Sequence, residues 1–197
     1  MFFLRRILFH VGVLGLALTP VLAQATTIAR LPVTSMTQLA SDVVHGTVSR
    51  VESRWTADRS QVLTYVTLSG VERLKGEGPA EVTFIQWGGR IGDEEFAVLG
   101  SATFREGEEV VVFLDVMESR AEYGVPSAPW ILGLSQGKWD VVTDAATGER
   151  IAVNAAARTG RVMGAVSPDA PDRIPLAELV RRVRAAAPEN LMQLGGN

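Results

Sequence analysis

The chain has 197 residues, no cysteine and a formal net charge of −3, with 47% hydrophobic and 21% charged residues. The missing cysteines exclude disulfides, thiol nucleophiles, thiolate metal sites and lipids attached through sulfur, so an apolar core must hold the chain together. The acidic balance leaves no basic footprint for nucleic acid and no polybasic segment for an anionic membrane surface.

Residues 1–25 have the form of a secretory signal peptide. Arg5 and Arg6 precede an apolar run from Ile7 to Leu18, and Ala23-Gln24-Ala25 fits small-x-small cleavage. The run is shorter than the ~20 residues that span a bilayer. The expectation is therefore a cleaved, exported protein, periplasmic or extracellular, with no stable membrane anchor. Cleavage would leave 172 residues, enough for one domain, and losing Arg5 and Arg6 takes 19 basic residues to 17 against 22 acidic ones, a net charge near −5.

Residues 26–41 read as a short lead followed by one or two helical turns over Ser35–Ser41, with Ser35 as the cap. Strand patterns then dominate. Asp42–Trp55 carries Val44, Gly46 and Val48 on one parity and Val51, Ser53 and Trp55 on the other, which predicts a bulge between them. Val62–Leu74 changes parity in the same way across Gly70. Further strands are expected at Glu81–Trp87, Phe96–Leu99, Glu109–Val116, Trp130–Leu134, Lys138–Val142 and Arg150–Val153, with Asp144–Gly148 as a hairpin loop. The run Val110–Leu114 is apolar on both parities and predicts a strand covered on two sides.

Residues 155–173, rich in Ala, Gly, Pro and Asp, read as a loose connector. Residues 174–188 read as a helix, because Leu176, Leu179, Val180 and Val183 follow a helical period between Pro175 and Pro188. The predicted fold class is mainly β: a small OB-like or Greek-key barrel over residues 42–154, with one C-terminal α-helix that caps a barrel end or docks on another protein.

The motifs argue against an enzyme more than for one. Gly133-Leu134-Ser135-Gln136-Gly137 matches the G-x-S-x-G of serine hydrolases, but the histidine of that fold follows the serine, whereas His45 precedes it. Ser135 and Lys138 also fit S-x-x-K, a Ser-Lys dyad that requires a helical turn. Flanking glycines and a following β run oppose that geometry, so the pair stands as the alternative catalytic reading. The acidic groups Asp93-Glu94-Glu95 and Glu106, Glu108 and Glu109 lack the spacing of a calcium loop and read as solvated, so no metal or cofactor is expected. His45 reads as a surface residue. Trp55, Trp87, Trp130 and Trp139 read as packing residues rather than a stacking surface. Trp87-Gly88-Gly89-Arg90-Ile91-Gly92 reads as a mobile hairpin whose backbone N–H groups could meet an anion or another chain.

Taken together, Asp42–Val48, Val71–Gly76, Gly89–Gly92, Gly107–Val110 and Gly133–Lys138 resemble an uncharacterised family of exported bacterial β-rich proteins, a likeness spanning residues 42 to 138. The opening strand and the Leu74-Lys75-Gly76 ending share a fainter likeness with netrin-like and metalloproteinase-inhibitor OB barrels. That resemblance implies a module that binds protein. Those inhibitors use an N-terminal cysteine and disulfides, which this chain lacks, so the implication concerns the fold more than the mechanism.

The expected function is an exported, non-catalytic binding module for a protein partner, a secreted protease or an envelope component. Its binding loop would comprise Trp87, Gly88, Gly89, Arg90 and Asp93. The alternatives are a Ser135–Lys138 hydrolase and a barrel holding a small ligand in an apolar interior.

Overall fold

The computed structural model describes residues 28–117, 127–158, 162–163 and 165–187; the expected signal segment and Pro188 lie outside them. The protein is mainly β. A two-residue strand β1 (Ile28–Ala29) leads to a short helix α1 (Val33–Leu39), and then the long strands β2 (Asp42–Trp55) and β3 (Val62–Lys75) form an antiparallel pair. Next come β4 (Val82–Trp87), a small hairpin of β5 (Gly89–Ile91) and β6 (Glu94–Phe96), and β7 (Glu109–Met117). The chain continues through β8 (Ala128–Ile131), β9 (Lys138–Thr143), β10 (Arg150–Asn154), β11 (Val162–Met163), β12 (Arg173–Pro175) and helix α2 (Leu176–Ala186).

The main sheet runs β12-β10-β9-β7-β2-β3-β4-β8, and β8 returns to pair with β7. Strands β2, β3, β4, β8 and β7 therefore curve into a ring in OB-like order. The ring is barrel-like but not closed, since β4 and β8 meet in parallel at one pair, Ile85 with Trp130.

Both expected bends are present. Val48 faces Leu68 but Arg50 faces Thr67, leaving Ser49 as the extra residue on β2. On β3 the step from Ser69 to Glu72 answers only Thr47 to His45 on β2, and Gly70 takes φ 61°, a left-handed conformation that glycine adopts without strain. Val66, Leu68 and Val71 thereby all turn towards the interior core.

Val110, Val112 and Leu114 of β7 enter the barrel interior with Val44, Val66 and Phe84. Val111 and Phe113 point the other way, into a second core shared with Trp139, Met36 of α1, and Leu179 and Val183 of α2. The doubly apolar strand is thus covered on both faces, as its composition predicts.

Several boundaries differ from the sequence reading. Helix α1 starts after Pro32, with no side-chain cap at its N-terminus, because Pro presets the entry φ; Ser35 lies inside the helix. Its far end is held by Lys75, whose ammonium donates to the carbonyls of Thr37 at 2.8 Å and Ala40. The strand expected at Phe96–Leu99 ends at Phe96, and Val98 and Leu99 are exposed. The one expected at Trp130–Leu134 ends at Ile131, since Gly133 and Leu134 take positive φ and a 3-10 turn follows.

The connector is tied down where it is described. A 3-10 turn at Ala155–Arg158 buries Ala155 and Ala156, β11 pairs with β1, the Asn154 N–H donates to the Asp172 carbonyl, and Arg30 pairs with Asp172. Helix α2 lies on the outer face of the sheet rather than over a barrel end, with Leu176, Leu179 and Val183 buried. On its exposed side Arg181 and Arg182 hydrogen-bond Glu178 and hold its carboxyl down to about 2. Among the described residues no helix is long and apolar enough to cross a membrane.

Candidate functional site

At the barrel mouth, beside the second half of β2, lies a cleft of about 230 Å³. Its floor is the start of β3 and the end of β4, one wall is the β5–β6 hairpin, and the other is the segment 101–104 that leads to β7. The hairpin forms because Gly92 takes φ 60° at the head of a two-residue turn, and its strands pair Gly89 with Phe96, Arg90 with Glu95 and Ile91 with Glu94. Phe96 meets Trp55 edge-on at 4.8 Å, so the hairpin is packed rather than loose.

Of the expected binding loop, Trp87, Gly89 and Arg90 line the cleft. Gly88 is buried at the hairpin base, where its N–H donates to the Val62 carbonyl. Asp93 is exposed at the tip. The Arg90 guanidinium pairs with Glu95 at 2.9 Å, and both side chains are mostly exposed. Trp87 and Trp55 are half-buried at this end, whereas Trp130 and Trp139 are core residues, so the four tryptophans divide between rim and interior.

The opposite wall is held by two buried side chains. Gln86 Nε2 donates to the Ala102 carbonyl at 2.9 Å, and Lys138 donates to the Thr103 carbonyl. Gln86 is 7% exposed and its Oε1 has no hydrogen-bond partner. Gln86 shares the inward parity of Val82 and Phe84, so a polar residue on a core-facing position was the available sequence signal for it. Phe96, Ser53, Thr64 and Phe104, which also line the cleft, carried no such signal.

The Ser135–Lys138 pair does not form a dyad. Ser135 sits in the 3-10 turn Leu134–Gly137, 1% exposed, with no hydrogen bond to its hydroxyl. Lys138 begins β9, where alternation turns it to the same side as Val112. There its ammonium meets Glu108 at 2.7 Å, Asp140 at 2.8 Å and the Thr103 carbonyl, and lies 4.6 Å from the centre of the Phe104 ring. Three acceptors occupy all three donors of an ammonium. Burial lowers the Lys138 pKa, and the hydrogen bond to Glu108 only partly offsets this.

Of the acidic groups, Asp93, Glu94, Glu95 and Glu106 are exposed as expected. Glu108 and Glu109 are not: Glu108 holds Lys138, and Glu109 accepts from Arg150 and lies 2.6 Å from His45 Nε2. His45 is not a surface residue: its side chain is 14% exposed, between Glu109 and Glu72, because β7 and β3 flank this part of β2 and Arg184 of α2 engages Glu72 above it. Burial raises the Glu109 pKa, but the hydrogen bonds from Arg150 and His45 outweigh this and leave it below the usual carboxylate value. Among the described residues no three His, Cys, Asp or Glu side chains converge as a metal site would require.

The fold and site define an OB-like barrel with a half-polar cleft at its mouth. Compared with known proteins, the chain matches no family model, no curated protein and no solved structure.

Proposed function

We propose that this protein is an exported, non-catalytic binding module that engages a protein partner through the cleft and the β5–β6 hairpin. The observation that carries the reading is the meeting of the cleft with an apolar rim. Val98, which lines the cleft, and its chain neighbour Leu99 are 39% and 49% exposed and follow directly on the hairpin wall of Arg90 and Phe96. An apolar centre edged by charged groups such as Arg90 and Glu95 is the anatomy of a protein–protein contact. The barrel interior supports docking at the mouth over a ligand held within, because Val44, Val66, Phe84 and Phe104 fill it. Export rests on the signal-like pattern of residues 1–25.

The test is a photo-crosslinking residue at Val98 in the full chain, exposed to the exported fraction of cells that produce it. The reading expects one protein crosslinked there and lost when Arg90→Glu and Leu99→Asp are introduced. Crosslinks that are absent, or that survive those changes, would remove it. N-terminal sequencing of the secreted form should begin at Thr26.

A further inference from the structure

We infer that the edge of β2 beside the cleft takes an extended segment of the partner as an added antiparallel strand, apolar towards the cleft and acidic opposite Arg50 and Arg54; this rests on the docking reading above. The register of the sheet carries the inference. The Thr56 N–H donates to the Gln61 carbonyl across the β2–β3 turn, and Arg50, Glu52 and Arg54 stand opposite Thr67, Tyr65 and Leu63. In an antiparallel ladder only alternate residues bond a given neighbour, so Arg50, Glu52 and Arg54 direct their N–H and C=O groups to β3. Val51, Ser53 and Trp55 turn theirs the other way.

On that side β7 accompanies β2 only as far as Val48, whose N–H donates to the Glu108 carbonyl and whose carbonyl accepts from the Gly107 N–H. There the chain turns, with the Glu108 N–H donating to the Arg105 carbonyl. Segment 101–104 runs elsewhere, its Ala102 and Thr103 carbonyls held by the side chains of Gln86 and Lys138. Among the described residues no strand pairs with this side of β2 beyond that turn, so the lane in which β7 would have continued holds no strand. Val51 and Ser53 are half-buried and line the cleft from this edge. Main-chain donors and acceptors repeating every second residue are the template that strand addition uses.

The surroundings of the lane fix its occupant. Guest residues opposite Val51 and Ser53 turn their side chains to the cleft, where Val98 and Phe104 favour apolar ones. Guest residues between and beyond them face the other way, level with Arg50 and Arg54, whose side chains are 66% and 54% exposed and which outnumber the Glu52 between them. Opposite charges across a strand pair attract, so acidic residues suit those two positions. A second copy of the chain is the poorer guest. Its β2 is already flanked by β3 and roofed by its own β5–β6 hairpin, packed so closely that a methyl on Gly89 would overlap Ser53 Oγ, whereas a lone extended segment brings neither.

The experiment adds the peptide acetyl-Glu-Val-Thr-Val-Glu-amide to isotopically labelled full chain and follows backbone hydrogen exchange. The Val51 and Ser53 N–H groups should exchange about tenfold more slowly with saturating peptide, while those of Glu52 and Arg54, already bonded to β3, should not change. Methylating both valine nitrogens, which face β2 in an antiparallel guest, should weaken binding about tenfold, and methylating the threonine and second glutamate nitrogens should leave it intact. Because only the peptide changes, no folding defect can mimic this contrast. Equal losses from the two methylated peptides, no protection by the parent peptide, or Val51 and Ser53 as slow as Glu52 before any peptide is added, as an edge covered by a second copy would show, would each overturn the inference even if the Val98 crosslink succeeds. Failure of the crosslink with peptide protection intact would instead remove the docking reading and leave the edge chemistry standing.

Discussion

The Lys138 ammonium lies 2.7 Å from the Glu108 carboxylate while its side chain is only 3% exposed, so a charged pair is embedded beside the barrel interior and fastens the wall of the cleft to β9. Lys138→Met removes the buried cation that Glu108 and Asp140 share and leaves them only the exposed Arg105 and Arg158. Losing one partner of such a pair costs up to about 3–5 kcal/mol. Chemical denaturation should show a much lower midpoint with an unchanged slope. A loss below ~1 kcal/mol would mean the ammonium is not held as described.

Ser135 makes the opposite case. Its hydroxyl is buried without a partner, so Ser135→Ala removes an unmet polar group rather than a bond. Stability should stay within about 0.5 kcal/mol of the parent or rise. A hydrolytic activity present in the parent and absent from this variant would restore the dyad reading.

Gly89 stands where β4 turns into the hairpin, with φ 144°. A methyl there would overlap Thr64 Oγ1 and Ser53 Oγ. Gly89→Ala should therefore destabilise by roughly 1–3 kcal/mol and break the hydrogen-bond chain under the cleft. Thermal unfolding reads the first effect, and faster hydrogen exchange of the Arg90 backbone N–H, which donates to Ser53 Oγ, reads the second.

Glu109 has a carboxyl held below its usual value of 4.5. A depressed folded-state pKa means the unfolded chain takes up the proton more readily. The stabilisation is thus complete above about pH 4.5 and disappears as pH falls through the lower folded value. With the side chain 35% exposed, solvent screening limits the effect to no more than ~1 kcal/mol. Glu109→Gln should be less stable than the parent at pH 6, and the gap should narrow as the pH is taken down below 4.5, by urea titration at each pH. A gap that widens on acidification would reverse the assignment.

Leu179 is fully buried between α2 and the sheet. Leu179→Ala should cost about 2–5 kcal/mol through lost contact and the cavity left behind. A surface-sized effect, under ~0.5 kcal/mol in the same denaturation assay, would show that α2 does not dock on its own domain.

Alternation of apolar residues was enough to locate the longer strands β2, β3, β4, β7, β9 and β10, the two-sided burial of Val110–Leu114, the bulges at Ser49 and Gly70 and the amphipathic stripe of α2, but not the short strands β1, β5, β11 and β12. Each follows from period and backbone conformation, which are local. Gly88, Gly89 and Gly92 marked the hairpin for the same reason. The cleft was only half legible: Trp87 and Arg90 drew notice by type, but Gln86 counts only because β4 turns it inward beneath segment 101–104. The distant partners of Lys138 and His45, Thr103 and Glu108 from the segment before β7, Glu109 from β7 and Glu72 from β3, are likewise brought in by pairing that no stretch of sequence displays. Chain neighbours decide which way a residue points; what it meets there is decided by distant segments, and hydrogen-bond satisfaction and burial depend on those meetings.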